Sequence, residues 1–119
     1  MADESVKSDP KPIREFLGET VKESFGSGQA RPIFDAAVFE DTWSDLGLAK
    51  APGEVDFKNE FAVLVITRGS QIHFRCRDEG EGRLKTLAIS TRDIRPGLRY
   101  LFGIFSKKEW KQVNETPIP

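Results

Sequence analysis

Apolar and polar positions change period several times along the chain, and each change predicts an element. Ile13, Phe16, Leu17, Val21 and Phe25 fall near i, i+3, i+4, i+8 and i+12, which predicts a short amphipathic helix over 13–25. Their side chains spread over about half of the helix circumference, and Gly18 weakens the interior. Residues 1–12 are charged and broken by Pro10 and Pro12, so they read as a disordered arm. Gly26-Ser27-Gly28 reads as a flexible joint. The expected organisation is an arm over 1–30 and a single folded domain over 31–119. The helix in the arm serves most simply as a lead-in to the domain; the alternative is a segment that docks on a partner.

Beyond Arg31 the signals strengthen. Pro32-Ile33-Phe34 reads as short and extended, and Asp35 suits a helix N-cap. Val38, Phe39, Thr42, Trp43 and Leu46 then form one stripe while Glu40, Asp41, Ser44 and Asp45 face away, predicting a helix over about 36–46 that stops at Gly47. After the Ala51-Pro52-Gly53 loop and Val55-Asp56-Phe57, the run Phe61–Ile66 is apolar at six successive positions. That pattern predicts a central strand buried on both faces.

Arg68-Gly69-Ser70 is turn chemistry, and Gln71–Arg77 alternates strictly, with Ile72, Phe74 and Cys76 inward and Gln71, His73, Arg75 and Arg77 outward. Asp78-Glu79-Gly80-Glu81-Gly82 turns the chain, Leu84–Thr91 gives another strand, and Arg95-Pro96-Gly97 precedes Leu98–Phe105, again apolar on both faces. Ser106-Lys107-Lys108-Glu109 fits either a helical capping box or a hairpin loop before an extended Trp110–Val113, and the short remaining length favours the strand. Consecutive strands pair by default. The expected fold is therefore α+β, a mostly antiparallel sheet of four or five strands with one packed helix.

Composition narrows the classes. Of 119 residues, 38% are apolar, nine of them Phe, enough for one core and too many for a disordered chain. No apolar run reaches the roughly 18–20 residues of a spanning helix. A single Cys76 excludes an internal disulfide, and one Cys with one His excludes the usual zinc clusters, so neither metal nor cofactor is expected. The opening Met1-Ala2-Asp3-Glu4-Ser5 has neither the basic nor the apolar region of a signal peptide, and a lone Cys76 suits a reducing or an oxidising compartment alike, so the localisation stays open, with the cytoplasm as the default.

The net charge of −1 hides an asymmetry. Residues 1–60 carry 7 Lys and Arg against 13 Asp and Glu, whereas residues 61–119 carry 11 against 6. The halves can compensate each other within the fold, or one face can await an acidic partner.

The acidic helix with Trp43, then Val55-Asp56-Phe57, the apolar strand Phe61–Ile66, a glycine turn, further strands and the ending Val113-Asn114-Glu115-Thr116-Pro117-Ile118-Pro119 form an ordered set. Over residues 31–119 this set resembles the PrcB-like family, the C-terminal domain of a protease-complex subunit found mostly in exported bacterial proteins. Members commonly follow the first strand with a Gly-Gly-Tyr-like turn. Here Arg68-Gly69-Ser70-Gln71-Ile72-His73 lacks the second Gly and the Tyr, so nothing that turn does in relatives carries over. The resemblance implies a non-enzymatic, β-rich accessory module, and export rather than a cytoplasmic location.

Candidate chemistry is sparse. His73 and Cys76 are the only pair that could make a nucleophile with its base, but residues three apart on a strand point to opposite faces. Cys76 then reads as a small core residue and His73 as an outward polar one. Asp78, Glu79 and Glu81 lack the alternating ligands of a calcium loop, and the nearby glycines precede a strand rather than a helix, against a phosphate cradle. No catalytic residue is assigned. Asn114-Glu115-Thr116 fits a glycosylation triplet, a pattern too short to carry weight.

The strongest constellation is basic. His73, Arg75, Arg77, Lys85 and Arg92 form a candidate binding surface, with Arg83, Arg95 and Arg99 near it. The expected function is a non-catalytic protein-interaction or accessory module. One alternative is nucleic-acid or polyanion binding through the basic face, against which stands a sequence pI of about 5.9. Another is a small-molecule site between helix and sheet near Trp43.

Overall fold

The computed structural model describes residues 10–20 and 30–119. Its elements run β1 (Arg14–Thr20), β2 (Arg31–Ile33), α1 (Ala36–Asp45), β3 (Glu60–Thr67), β4 (Ile72–Asp78), β5 (Arg83–Ser90), β6 (Leu98–Ser106), β7 (Gln112–Val113) and β8 (Thr116–Pro117). They form two four-stranded sheets: sheet A in the order β1-β6-β3-β2, and sheet B in the order β4-β5-β7-β8. The α+β class, the antiparallel bias and the one packed helix among the described residues are as the sequence reading expects. The division into two sheets is not.

The reason lies in β3 and β6, which pair antiparallel from Glu60↔Ser106 to Thr67↔Arg99. Both are apolar on both faces, so each face needs a cover. Ala62, Leu64 and Ile66 join Leu98, Tyr100, Phe102 and Ile104 under Phe39 and Leu46 of the helical segment. On the reverse side Phe61, Val63 and Phe105 meet Cys76, Leu84, Trp110 and Val113 of sheet B and its approaches. One helix covers only one face, so the β4–β5 hairpin folds over the other. The expected meander is thereby corrected: β3 does not pair with β4, nor β5 with β6.

The helix forms where expected. The Asp35 carboxylate accepts from the Val38 amide at 2.9 Å, capping the first turn. At the other end Gly47, at φ 84°, closes a Schellman motif: Leu48 N–H donates to Trp43 O at 3.2 Å and Gly47 N–H to Ser44 O at 2.9 Å. Phe39 meets Phe102 edge-on, with centroids 5.3 Å apart. Val38, placed in the apolar stripe by its spacing, is instead exposed.

The helix expected over 13–25 is overturned where it can be seen. Arg14–Thr20 is the edge strand of sheet A, paired with β6 from Arg14↔Ile104 to Thr20↔Leu98, while residues 21–25 lie outside the described residues. The folded unit thus includes part of the expected arm. Phe16 packs into the helix-side core, and Gly18 sits opposite Tyr100, whose ring occupies the space a side chain would need. That glycine, unfavourable to a helix, is what lets a strand lie there. Residues 1–9 and the Gly26-Ser27-Gly28 joint also lie outside the described residues.

At the C-terminus the extended alternative holds. Ser106–Glu109 is a turn, and Gln112–Val113 pairs parallel to Arg83–Leu84. Asn114 and Glu115, at φ 48° and 71°, turn the chain back into β8. The Asn114 carboxamide grips buried Thr86 twice: Oδ1 accepts from Thr86 N–H and Nδ2 donates to Thr86 Oγ1, both at 2.7 Å. The residue of the glycosylation triplet is therefore engaged in holding sheet B together.

Candidate functional site

The outer face of sheet B gathers most of the expected surface. His73, Arg75 and Arg77 point outward from β4, and the register sets His73 opposite Ile89, Arg75 opposite Leu87 and Arg77 opposite Lys85. Residues directly opposite on an antiparallel pair share a face. The result is a column of His73 and two arginines beside an aliphatic pair, with Leu87 45% and Ile89 37% exposed. Arg92 is not part of this face, because β5 ends at Ser90 and Arg92 lies exposed in the loop beyond it. Cys76, on the same strand as His73, is buried on the opposite face, so thiol and imidazole are held apart by the sheet.

Sequence reasoning did not single out Leu87 and Ile89. They sit in a strand whose apolar residues occur on both faces, and only the pairing with β4 decides which are left uncovered. It also grouped Arg99 with the surface cations, which the structure corrects. Arg99 is 6% exposed, and its guanidinium donates to four backbone carbonyls: Arg68 at 2.7 Å, Pro96 at 3.1 Å, and Arg95 and Gly97 at 3.2 Å each. It ties the β3–β4 turn to the β5–β6 loop. Its position inside the otherwise apolar run Leu98–Phe105 was the available signal of burial.

The same end of the molecule carries a polar knot. The Asp93 carboxylate accepts from the Ser70 amide at 3.1 Å, and the Ser70 and Thr91 hydroxyls lie 3.2 Å apart. Bonds from the Thr91 hydroxyl, then the Ser70 amide and hydroxyl, hold the Asp93 carboxyl down at about 2.

A second concavity opens between α1, the loop over 51–57 and β1, with a volume of about 990 Å³. Phe16, Phe39, Trp43 and Phe57 line it. At its edge Arg14 forks onto Glu60, Nη2 to Oε1 at 2.6 Å and Nη1 to Oε2 at 3.0 Å. The guanidinium holds the Glu60 carboxyl below the usual carboxylate range, and Glu60 in turn raises Arg14. This cavity lies where the sequence suggested a small-molecule site.

No group of three or more His, Cys, Asp or Glu is placed to hold a metal ion among the described residues. No helix among them is long and apolar enough to cross a membrane. Compared with protein-family models, curated proteins and solved structures, the chain matches none.

Proposed function

We propose that the domain is a non-catalytic interaction module that takes an acidic protein segment with aliphatic side chains on the outer face of sheet B. The observation that carries this reading is the register of β4 and β5, which puts exposed Leu87 and Ile89 directly beside Arg75 and His73. Cations attract an acidic chain, and the aliphatic pair gives it something to bury against. A nucleic-acid backbone would use the cations and leave the aliphatic pair without a role. Strand binders stack bases on aromatic rings, whereas the large apolar side chains most exposed among the described residues are all aliphatic. The resemblance to the PrcB-like family supports an accessory role of this kind.

The test is an amide NMR titration of the full chain with an acidic peptide bearing Leu at alternate positions, and in parallel with a single-stranded oligonucleotide. The peptide is expected to shift residues 73–77 and 85–89 saturably, and Arg75→Glu and Leu87→Asp are each expected to weaken it about tenfold. Binding of the oligonucleotide alone, lost with Arg75→Glu and indifferent to Leu87→Asp, would replace the protein reading with the polyanion one.

A second reading rests on the cavity under α1. Its volume is within the range of small-molecule sites and its walls are aromatic. A ligand there would change Trp43 fluorescence and leave the outer face of sheet B unshifted.

A further inference from the structure

The cavity under α1 carries charge as well as aromatic walls. Ala36, Phe39, Glu40 and Trp43 fall at i, i+3, i+4 and i+7 of α1, so one helix face lines it with two rings and a carboxylate. The loop over 51–57 adds Phe57, tilted 55° to Phe39 with centroids 5.5 Å apart, and the two rings meet as a corner. Gly53 lies against the Phe16 ring, where a Cβ would come within 2.3 Å of it, which seats that loop on β1.

Four carboxylates line the same cavity, those of Glu40, Glu54, Asp56 and Glu60, against the single guanidinium of Arg14. Arg14 is committed to Glu60 by its two-point contact, and its Nη2 also donates to the Glu54 carbonyl at 3.1 Å. Glu40, Glu54 and Asp56 are left without a counter-cation in the lining, and all three are exposed. The Asp56 carboxylate accepts from neutral N–H groups, the Asn59 side chain at 2.9 Å and the Lys58 amide at 3.1 Å, which hold it below the usual carboxylate range and so ionised. Lys107 is turned to the Phe34 and Phe57 carbonyls and lines a neighbouring hollow with Pro119.

Aromatic rings attract a cation through their faces, and the carboxylates add to that field. The rings offer no strong acceptor, so an entering primary ammonium or guanidinium would leave N–H donors unpaired. A quaternary ammonium has none to satisfy. We infer that this cavity binds a small molecule bearing a trimethylammonium group, its methyl groups against Trp43 and Phe57 and its charge facing Glu40 and Glu54. The inference rests on the reading of this cavity as a small-molecule site and names what the molecule must carry. It shares no residue with the outer face of sheet B. A free molecule suits the cavity better than a lipid headgroup, whose phosphate would meet the same carboxylates.

The experiment titrates the isotope-labelled full chain with choline, with its neutral tert-butyl isostere, in which carbon replaces nitrogen, and with phosphatidylcholine vesicles, following backbone amides and the Trp43 indole N–H. Choline is expected to shift Glu40, Trp43, Gly53 and Glu54 saturably, while the isostere and the vesicles leave them unmoved. Trp43→Leu is expected to weaken choline by about fivefold, the scale of one cation–ring contact. Glu40→Gln combined with Glu54→Gln, both at exposed positions that leave folding intact, is expected to weaken it by about threefold. Equal shifts from the isostere would overturn the cation and leave the small-molecule reading standing. No saturable shift from either compound would overturn both. Binding of vesicles without free choline, or choline binding undiminished in the double variant, would also overturn the proposal.

Discussion

Sheets A and B have four strands each, yet they solve different problems. Sheet A holds two strands, β3 and β6, that are dry on both faces, with α1 on one side and sheet B on the other. Sheet B is dry on one face only, and its outer face carries His73, Arg75, Arg77, Leu87 and Ile89 in solvent. Sheet A is therefore where packing determines stability. Sheet B combines a lid for the core with a wet surface open to a partner.

This contrast can be broken most sharply by truncation. Phe102→Ala, at a fully buried position of β6 packed against Phe39 and Tyr100, is expected to cost about 3–5 kcal/mol in urea unfolding. Leu87→Ala on the outer face of sheet B serves as the reference, expected within about 0.5 kcal/mol of the parent. Similar losses at the two positions would mean that the outer face is covered, and the distinction between the sheets would fall.

A smaller effect is expected where sheet B holds itself together. Asn114→Ala removes the acceptor of Thr86 N–H and the donor to Thr86 Oγ1, leaving polar groups of a buried residue unpaired. The expected cost is about 1–3 kcal/mol. Faster amide exchange confined to β5, β7 and β8, with β3 and β6 still protected, would sharpen the comparison. Exchange spreading through both sheets would instead make them one cooperative unit.

The smallest effect concerns pH. The Asp93 carboxyl is held at about 2 in the folded protein, below its ordinary value of 3.8. Depression on folding stabilises the ionised form, so its contribution is fully present above the ordinary value and is lost as pH falls through the folded one. Asp93→Asn is therefore expected to reduce the drop in melting temperature between about pH 4 and pH 2, and to leave the slope above pH 5 unchanged. An identical acid profile in the variant would contradict the network around Ser70 and Thr91.

Much of the chain was legible from local rules. The Asp35 cap, the Gly47 stop and the stripe through Phe39, Trp43 and Leu46 located α1 because capping and helical spacing are properties of a single segment. Strict alternation placed His73, Arg75 and Arg77 outward and Cys76 inward for the same reason. Arg14–Thr20 was misread because its apolar spacing satisfied a helix, and only the neighbouring edge of β6 made a strand of it. Arg92 and Arg99 fell out of the basic surface for different reasons. The end of β5 put the first in a loop, and the second turned inward to cap carbonyls from two loops.

Sequence by itself determined which segments are apolar, which strands demand cover on both faces, where the helix begins and ends, and which residues alternate. Each of these depends on neighbours along the chain. Tertiary structure alone decided that the cover for β3 and β6 is split between a helix and a second sheet, that Leu87 and Ile89 stay wet beside Arg75 and His73, and that Arg99 is buried against backbone carbonyls. These outcomes depend on strand pairing between segments tens of residues apart. A shift of one residue in that register exchanges the two faces of a strand, so no local pattern could specify them.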